Sequence, residues 1–306
     1  MAAIAVHGFI NVDLAGKTAA FAGADQEAEL EEFQVFSGGS AANVAVGLSR
    51  LGQEVFFLGA TGDDGYASLL IKELEQVRCD YIQQIPGVVS GTVMITVDRH
   101  GLRTMYTYPG ANAHFNWSLV PRLFVGGLDY LHLSSPADAV IKQLVHLKQA
   151  NSRLQVSLDP SKLLTGKGLQ YLKPLLERTA ILFLNEAELD DLFPSCQRSE
   201  AISQLHSIGP KHIFVKLGAK GAEYSSMQES GQHNRIHQRA LPVHAVDSTG
   251  AGDAFAAGAL YGLARGWEQE NVLRLGIEMG TRAVAAVGAR TGLPYRHELS
   301  GLNWFS

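Results

Sequence analysis

Six short apolar runs, separated by helix-patterned stretches, most restrict what this 306-residue chain can fold into. They are Ile4–Val6, Val55–Leu58, Tyr130–Leu133, Leu154–Leu158, Ile181–Leu184 and Ile213–Leu217. Between them lie amphipathic or small-residue segments such as Ala41–Leu51, Tyr66–Gln76, Ala137–Gln149 and Ala201–Ile208. Short runs without polar alternation suit strands buried on both faces. Alternating with helices, they predict an α/β fold with a doubly wound, parallel sheet. Such sheets bind ligands beyond the carboxyl ends of their strands. Asn11, Asp13, Asp159, Asn185 and Gly218 fall at those ends.

Two stretches break the alternation. Residues 14–36 show no helical pattern beyond a weak acidic segment around Glu27–Glu32. Residues 91–108 are rich in β-branched and aromatic side chains and turn at Asp98–Gly101, which predicts a hairpin. Together, 14–36 and 91–108 are expected to form a small β-sheet outside the main domain. The remainder (1–13, 37–90 and 109–306) is expected to form the large α/β domain. That sheet has two uses open to it, a flap over a site and a dimer surface.

The totals narrow the function classes. A hydrophobic fraction of 46% supplies a sizeable core. A net charge of −5 without a basic run argues against nucleic acid as the main partner. Met1–Gly8 lacks the basic start of a signal peptide, and no apolar run approaches the roughly 18 residues of a membrane span. Cys79 and Cys196 are too few for a disulfide framework or a zinc site. A soluble cytoplasmic protein is expected, with no membrane partner.

Chemistry concentrates in Asp247-Ser248-Thr249-Gly250-Ala251-Gly252-Asp253-Ala254-Phe255. A small, glycine-rich turn runs into a helix read from Phe255, Ala259, Leu260 and Leu263. The first N–H groups of a helix lack partners and point outward at its positive end, so Gly250, Ala251 and Gly252 make an anion cradle. A carboxylate there repels the anion, unless Asp253 takes a proton from a hydroxyl that attacks a phosphorus held in the cradle. The plainer reading is an acid favouring the helix dipole.

Other segments carry weaker signals. Gly38-Gly39-Ser40-Ala41-Ala42-Asn43 is a second glycine-led helix start, readable as a tight helix entry. Asn11-Val12-Asp13 suits sugar hydroxyls or an Asx turn. Gly62-Asp63-Asp64-Gly65 reads as an acidic turn. Asn185 and Glu188 have capping-box spacing, and could equally orient a hydrated Mg²⁺. Lys216-Leu217-Gly218-Ala219-Lys220-Gly221 borders a nucleotide or is a hairpin corner. His233–His237 reads as solvated loop, and neither a P-loop nor a Gly-x-Gly-x-x-Gly fingerprint is present.

On these residues the chain resembles the ribokinase-like (PfkB) family of carbohydrate kinases over essentially its whole length. Gly38–Ala45, with Leu51-Gly52 downstream, and Asp247–Phe255 match its two signatures. Asn11–Asp13, Gly62–Gly65, Pro109-Gly110-Ala111-Asn112, Asn185–Glu188 and Lys216–Gly221 match weaker motifs in order. The resemblance implies a Rossmann-like α/β domain, its doubly wound sheet mostly parallel, with a small β-sheet lid. It implies transfer of the ATP γ-phosphoryl to an alcohol, with Asp253 as base and the N–H groups of Gly250, Ala251, Gly252 and Asp253 as anion hole. It implies sugar contacts from Asp13, Gly38, Gly39 and Asn43, to which the neighbouring Asn11 and Ser40 are added. It assigns Asn185 and Glu188 to Mg²⁺ and phosphate, and Lys216, Gly218 and Gly221 to the nucleotide edge. Asp247 and Thr249, with carbonyls within Ala286–Gly292, would hold an activating K⁺. A homodimer through the lid is a family habit. Ribokinases carry Lys where this chain has Ser40 and Glu where it has Ser134, so a fructokinase-like substrate competes with ribose. A nucleoside kinase and a catalytically silent sugar-binding regulator are the alternatives. Arg103, in the lid hairpin, is the cation placed to reach a phosphorylated substrate.

Overall fold

Each of the six apolar runs forms a strand in the computed structural model, which describes residues 2–136, 139–228 and 231–305. In chain order the strands are β1 (Ile4–Gly8), β2 (Asn11–Lys17), β3 (Glu32–Gly38), β4 (Val55–Gly62), β5 (Arg78–Ile85), β6 (Gly91–Val97), β7 (Arg103–Tyr108), β8 (Tyr130–Ser134), β9 (Gln155–Asp159), β10 (Ile181–Asn185), β11 (His212–Lys216), β12 (Ala222–Met227) and β13 (His233–Gln238). The large sheet has the order β13-β12-β11-β10-β9-β8-β1-β4-β5. It is parallel from β11 to β5, and β12 and β13 extend it antiparallel.

Period-two alternation explains the unbroken apolar runs. In β10, Ile181 and Phe183 enter one core while Leu182 and Leu184 enter the other. In β11, Phe214 goes to the first, and Ile213 and Val215 to the second. The helices Ser40–Arg50 and Ala251–Ala264 cover the first face, and both are largely buried. Strand order reverses at β1, which lies between β4 and β8, so the crevice at its carboxyl end is a topological switch point.

The second sheet, ordered β3-β2-β6-β7, begins three residues beyond the carboxyl end of β1. Its inner face presents Asp13, Ala15, Lys17, Gln34, Ile95 and Val97 to a cavity of about 480 Å³. Segments 246–249 and 287–289 form the opposite wall. On the outer face Phe33, Val35, Met94 and Tyr106 are exposed.

Several local expectations change. No helix forms at Glu27–Glu32, and Glu32 instead opens β3, pairing with Lys17. His233–His237 is an edge strand, not a loop. The helix expected over Tyr66–Gln76 spans only Ala67–Lys72. Of Ala137–Gln149, residues 137 and 138 lie outside the described residues, and a helix runs over Ala139–Ala150. Among the described residues no helix is long and apolar enough to cross a membrane.

Candidate active site

The helix Ala251–Ala264 starts at Gly250, whose φ of 76° is the left-handed region glycine tolerates best. Ala289 lies so close that a Cβ at residue 250 would fall 2.7 Å from its Cβ. Among the described residues, the N–H groups of Gly250, Gly252 and Asp253 meet no backbone acceptor outside the helix. Ala251 N–H donates to Ser248 O over a long 3.3 Å. The turn therefore presents several N–H groups at a positive helix end.

Asp253 stands at this cradle. Its Oδ2 accepts from Asn43 Nδ2 at 2.8 Å, across 210 residues of chain. Burial pushes the Asp253 carboxyl up to about 7, with Asp159 adding to the shift. Asn43, Lys216 and the Ser40 hydroxyl oppose it. A carboxylate that titrates near neutrality is matched to accepting a proton from an alcohol at physiological pH.

The helix Ser40–Arg50 brings the other signature to the same place. Gly38 lets the chain pass against Asp13, since a Cβ there would fall 2.0 Å from Asp13 Oδ2. Gly39, at φ 94°, is the N-cap of that helix. Asp13 is buried, and its Oδ1 has no hydrogen-bond partner among the described residues. Burial pushes its carboxyl up to about 6, against the pull of Arg290. An unpartnered buried acceptor fits a ligand hydroxyl. Asn11 is tied into the scaffold, its Oδ1 accepting from Asn112 Nδ2 at 2.9 Å. Asn112 Oδ1 in turn accepts from Ile10 N–H.

On the other side of Asp253 lies an ionic cluster that sequence reasoning only partly identified. Lys216 Nζ sits 2.5 Å from Asp159 Oδ2, and a Cβ on Gly252 would lie 3.2 Å from that Nζ. Lys216 thus turns inward against the cradle. Burial disfavours its charge, but Asp159, Glu188 and Asp253 outweigh burial and hold its pKa above the ordinary value. Asn185 and Glu188 form a capping box: Asn185 N–H donates to Glu188 Oε2, and Glu188 N–H donates to Asn185 Oδ1, both at 2.9 Å. Burial and Asp159 raise the Glu188 carboxyl, against Lys216. Carboxylates that outnumber their one cation suit a further cation. No three His, Cys, Asp or Glu residues converge on a common metal position among the described residues. The donor set fits a hydrated Mg²⁺ held through few protein oxygens.

Asp247 and Thr249 bond each other. Thr249 N–H and Oγ1–H both donate to Asp247 Oδ1, and Gly288 N–H donates to Oδ2 at 3.0 Å. Segment 286–292 is thereby brought to Asp247. From the lid, Arg103 donates to Ser248 Oγ and Thr249 Oγ1, both at 3.0 Å, and lies 3.7 Å from Asp247. Burial of Asp247 is outweighed by these donors, which hold its carboxyl below the usual range. Gly218 and Gly221 lie at the corner between β11 and β12, where Gly221, at φ 99°, packs against Gln238 O.

The sequence reading left Asp159 and Arg290 out of the site. Asp159 carries one signal, its place at a strand's carboxyl end. The Arg290 side chain carries none, although the resemblance brings carbonyls of its segment to Asp247, since it acts on residues far away in the chain.

A buried carboxyl beside a glycine-rich helix start, across a cavity from the second sheet, is an arrangement compatible with a phosphotransferase that acts on hydroxyl groups. The chain belongs to the pfkB family of carbohydrate kinases, whose family model matches residues 1–296. It is 31% identical to an uncharacterized sugar kinase of Archaeoglobus fulgidus over 81% of this chain and 98% of that protein. It is 33% identical to a fructokinase of Klebsiella pneumoniae, over 86% and 90% of the two chains. The structure of Arabidopsis thaliana ribokinase complexed with ribose and ATP superposes with a TM-score of 0.87 at 25% identity, covering all of both chains.

Proposed function

We propose that the protein transfers the terminal phosphoryl group of ATP to a hydroxyl of a small, unphosphorylated sugar in the cytoplasm. The observation that carries this reading is Asp253, a base held near neutrality by burial, with one oxygen fixed by Asn43 at the mouth of the anion cradle. The sugar lies between the lid and the large sheet, with hydroxyls on Asp13 and Asn43. Asp253 accepts the proton as the hydroxyl oxygen attacks. The cradle N–H groups and Lys216 face the charge spread over the transferring phosphoryl, where most of the catalysis resides. Mg²⁺, held through its waters by Glu188 and Asn185, would neutralise phosphate charge when bound. Asp247 with the 286–292 loop is the proposed position for K⁺, and Arg103, 3.7 Å away, competes with it. The exposed apolar outer face of the lid supports a homodimer through that sheet.

An ADP-release screen over free sugars, sugar acids, phosphosugars and nucleosides tests the reading. Release that depends on a free sugar is expected. A protein that binds a sugar without ADP release would be a silent regulator. The cavity wall holds Asp13, Glu32 and Asp247 against Lys17 and Arg103. Lys17 is engaged by Glu32 at 2.8 Å, and Arg103 by Ser248 and Thr249. A dianionic acceptor therefore meets more negative than available positive charge. Free sugars should exceed their phosphorylated forms in kcat/KM by about 100-fold, or about 2.7 kcal/mol. A phosphosugar as best acceptor would overturn the substrate class and leave the kinase assignment standing.

A further inference from the structure

Behind the sugar pocket, Arg290 is buried although it carries a charge, and burial pushes its pKa down to about 10. Its hydrogen bonds are specific. Nε donates to Asn43 Oδ1 at 2.9 Å, Nη2 donates to Gly38 O at 2.9 Å, and Nη1 donates to Glu73 O at 3.1 Å. A guanidinium only donates, so the Asn43 atom that faces it must be the amide oxygen. The amide nitrogen is then turned to Asp253, where it donates to Oδ2. Without the arginine, the amide could rotate and set its oxygen against the Asp253 carboxylate, which would be repulsive.

We infer that Arg290 is a positioning residue for phosphoryl transfer, holding the Asn43 amide in the one orientation that donates to Asp253. The inference rests on the reading of Asp253 as the base. Asn43 then pins Asp253 Oδ2, the Ser40 hydroxyl also bonds the carboxyl, and the remaining lone pairs are available to the substrate hydroxyl. The bond from Nη2 to Gly38 O ties the same guanidinium to the loop that lies against Asp13. Arg290 thus bonds two residues of the Gly38–Ala45 signature from 247 residues away, and reaches Asp253 through Asn43.

A double-mutant cycle separates this role from simple packing. Arg290→Met should lower kcat about 10-fold, with KM for ATP within about twofold of the parent. Asn43→Ala should lower kcat at least as much. The double variant should be no worse than Asn43→Ala within about threefold, because both act through one amide. Arg290→Lys, which keeps a donor, should recover part of kcat. Multiplying effects in the double variant, or a lower thermal midpoint with unchanged kcat, would overturn the inference. If Arg290→Met does not fold, the cycle is run with Arg290→Gln and Arg290→Lys, and the same two results decide it. Near-normal turnover by Asp253→Asn would sink the base assignment itself. Multiplying effects alongside an inactive Asp253→Asn would sink only the role of Arg290.

Discussion

Ionising Asp253 is harder in the folded protein than in the unfolded chain, and the difference is measurable in two ways. Its carboxyl rises from 3.8 to about 7 on folding. Between those values the unfolded chain is ionised while the folded protein keeps the proton, so this residue's contribution to stability falls as pH rises, and the loss is complete above about 7. Asp253→Asn escapes the penalty. It should be more stable than the parent at pH 8, by about 2 kcal/mol, with the gain shrinking towards pH 5. The same variant should lose about 10²–10⁴-fold in kcat. In the parent, kcat/KM should climb as pH passes about 7, where the base ionises. Thermal midpoints and pH–rate profiles of the two proteins check both claims. A variant that is less stable at every pH and still turns over would make Asp253 a helix-end acid only.

The turn from β10 into the helix Glu186–Leu192 shows one element serving structure and chemistry together. Glu188 caps the helix through Oε2, and its burial near Asp159 leaves it a poorly neutralised carboxyl. Glu188→Gln can keep the hydrogen bond to Asn185 N–H while losing the charge. The helix should therefore survive, and the rate should need more Mg²⁺, recovering in part at high concentration, with sugar affinity little changed. Rate measured against Mg²⁺ concentration, with the thermal midpoint as control, decides it. A less stable variant with parental Mg²⁺ dependence would make the box structural only. Elements such as this were legible in the sequence because their signals are local: an apolar run, then Asn, then Glu three residues on. The doubly buried strands and the 91–108 hairpin were legible for the same reason. The edge strands of the large sheet were not. β5 and β13 cover their backbone on one side only and carry Arg78, Asp80, Gln83 and Gln84, or His233, Asn234 and Arg235, so no apolar run marks them. Glu32 looked like part of an acidic helix because its pairing across β2 is invisible locally. The buried acid and its glycine-led helix start could be read from one nonapeptide. Arg290 could not, since only the folded chain brings it to Asn43.

At the scale of the whole molecule, two sheets meet around a cavity and Arg103 ties the lid to the loop before the cradle. The same fold buries histidines outside the cavity wall, one of which, His132, feels Asp159 and Lys216 of the site. His7 bonds Leu58 O through Nδ1, His132 meets Ser157 Oγ, and His212 meets the Tyr224 hydroxyl. Burial holds all three down to about 4 from the ordinary 6.5. Each therefore gives its full contribution to stability above about pH 6.5. That contribution is lost as pH falls towards 4, because the unfolded chain takes up protons that the folded protein refuses. Asp253 and Asp13 act in the opposite sense over an overlapping window, since acid relieves their buried charge. The parent should therefore lose little stability between pH 7 and 6 and more steeply below pH 6. Asp253→Asn, without its share of the compensation, should fall more steeply over the whole range. His132→Asn removes one of the opposing groups while keeping a polar atom for Ser157. It should start lower at pH 7.5, because it leaves a small cavity in the core, yet decline less between pH 6.5 and 4.5 than the parent. Thermal midpoints at half-unit pH steps give the slopes directly. Parallel curves for His132→Asn and the parent would show that this histidine is not a source of the acid sensitivity.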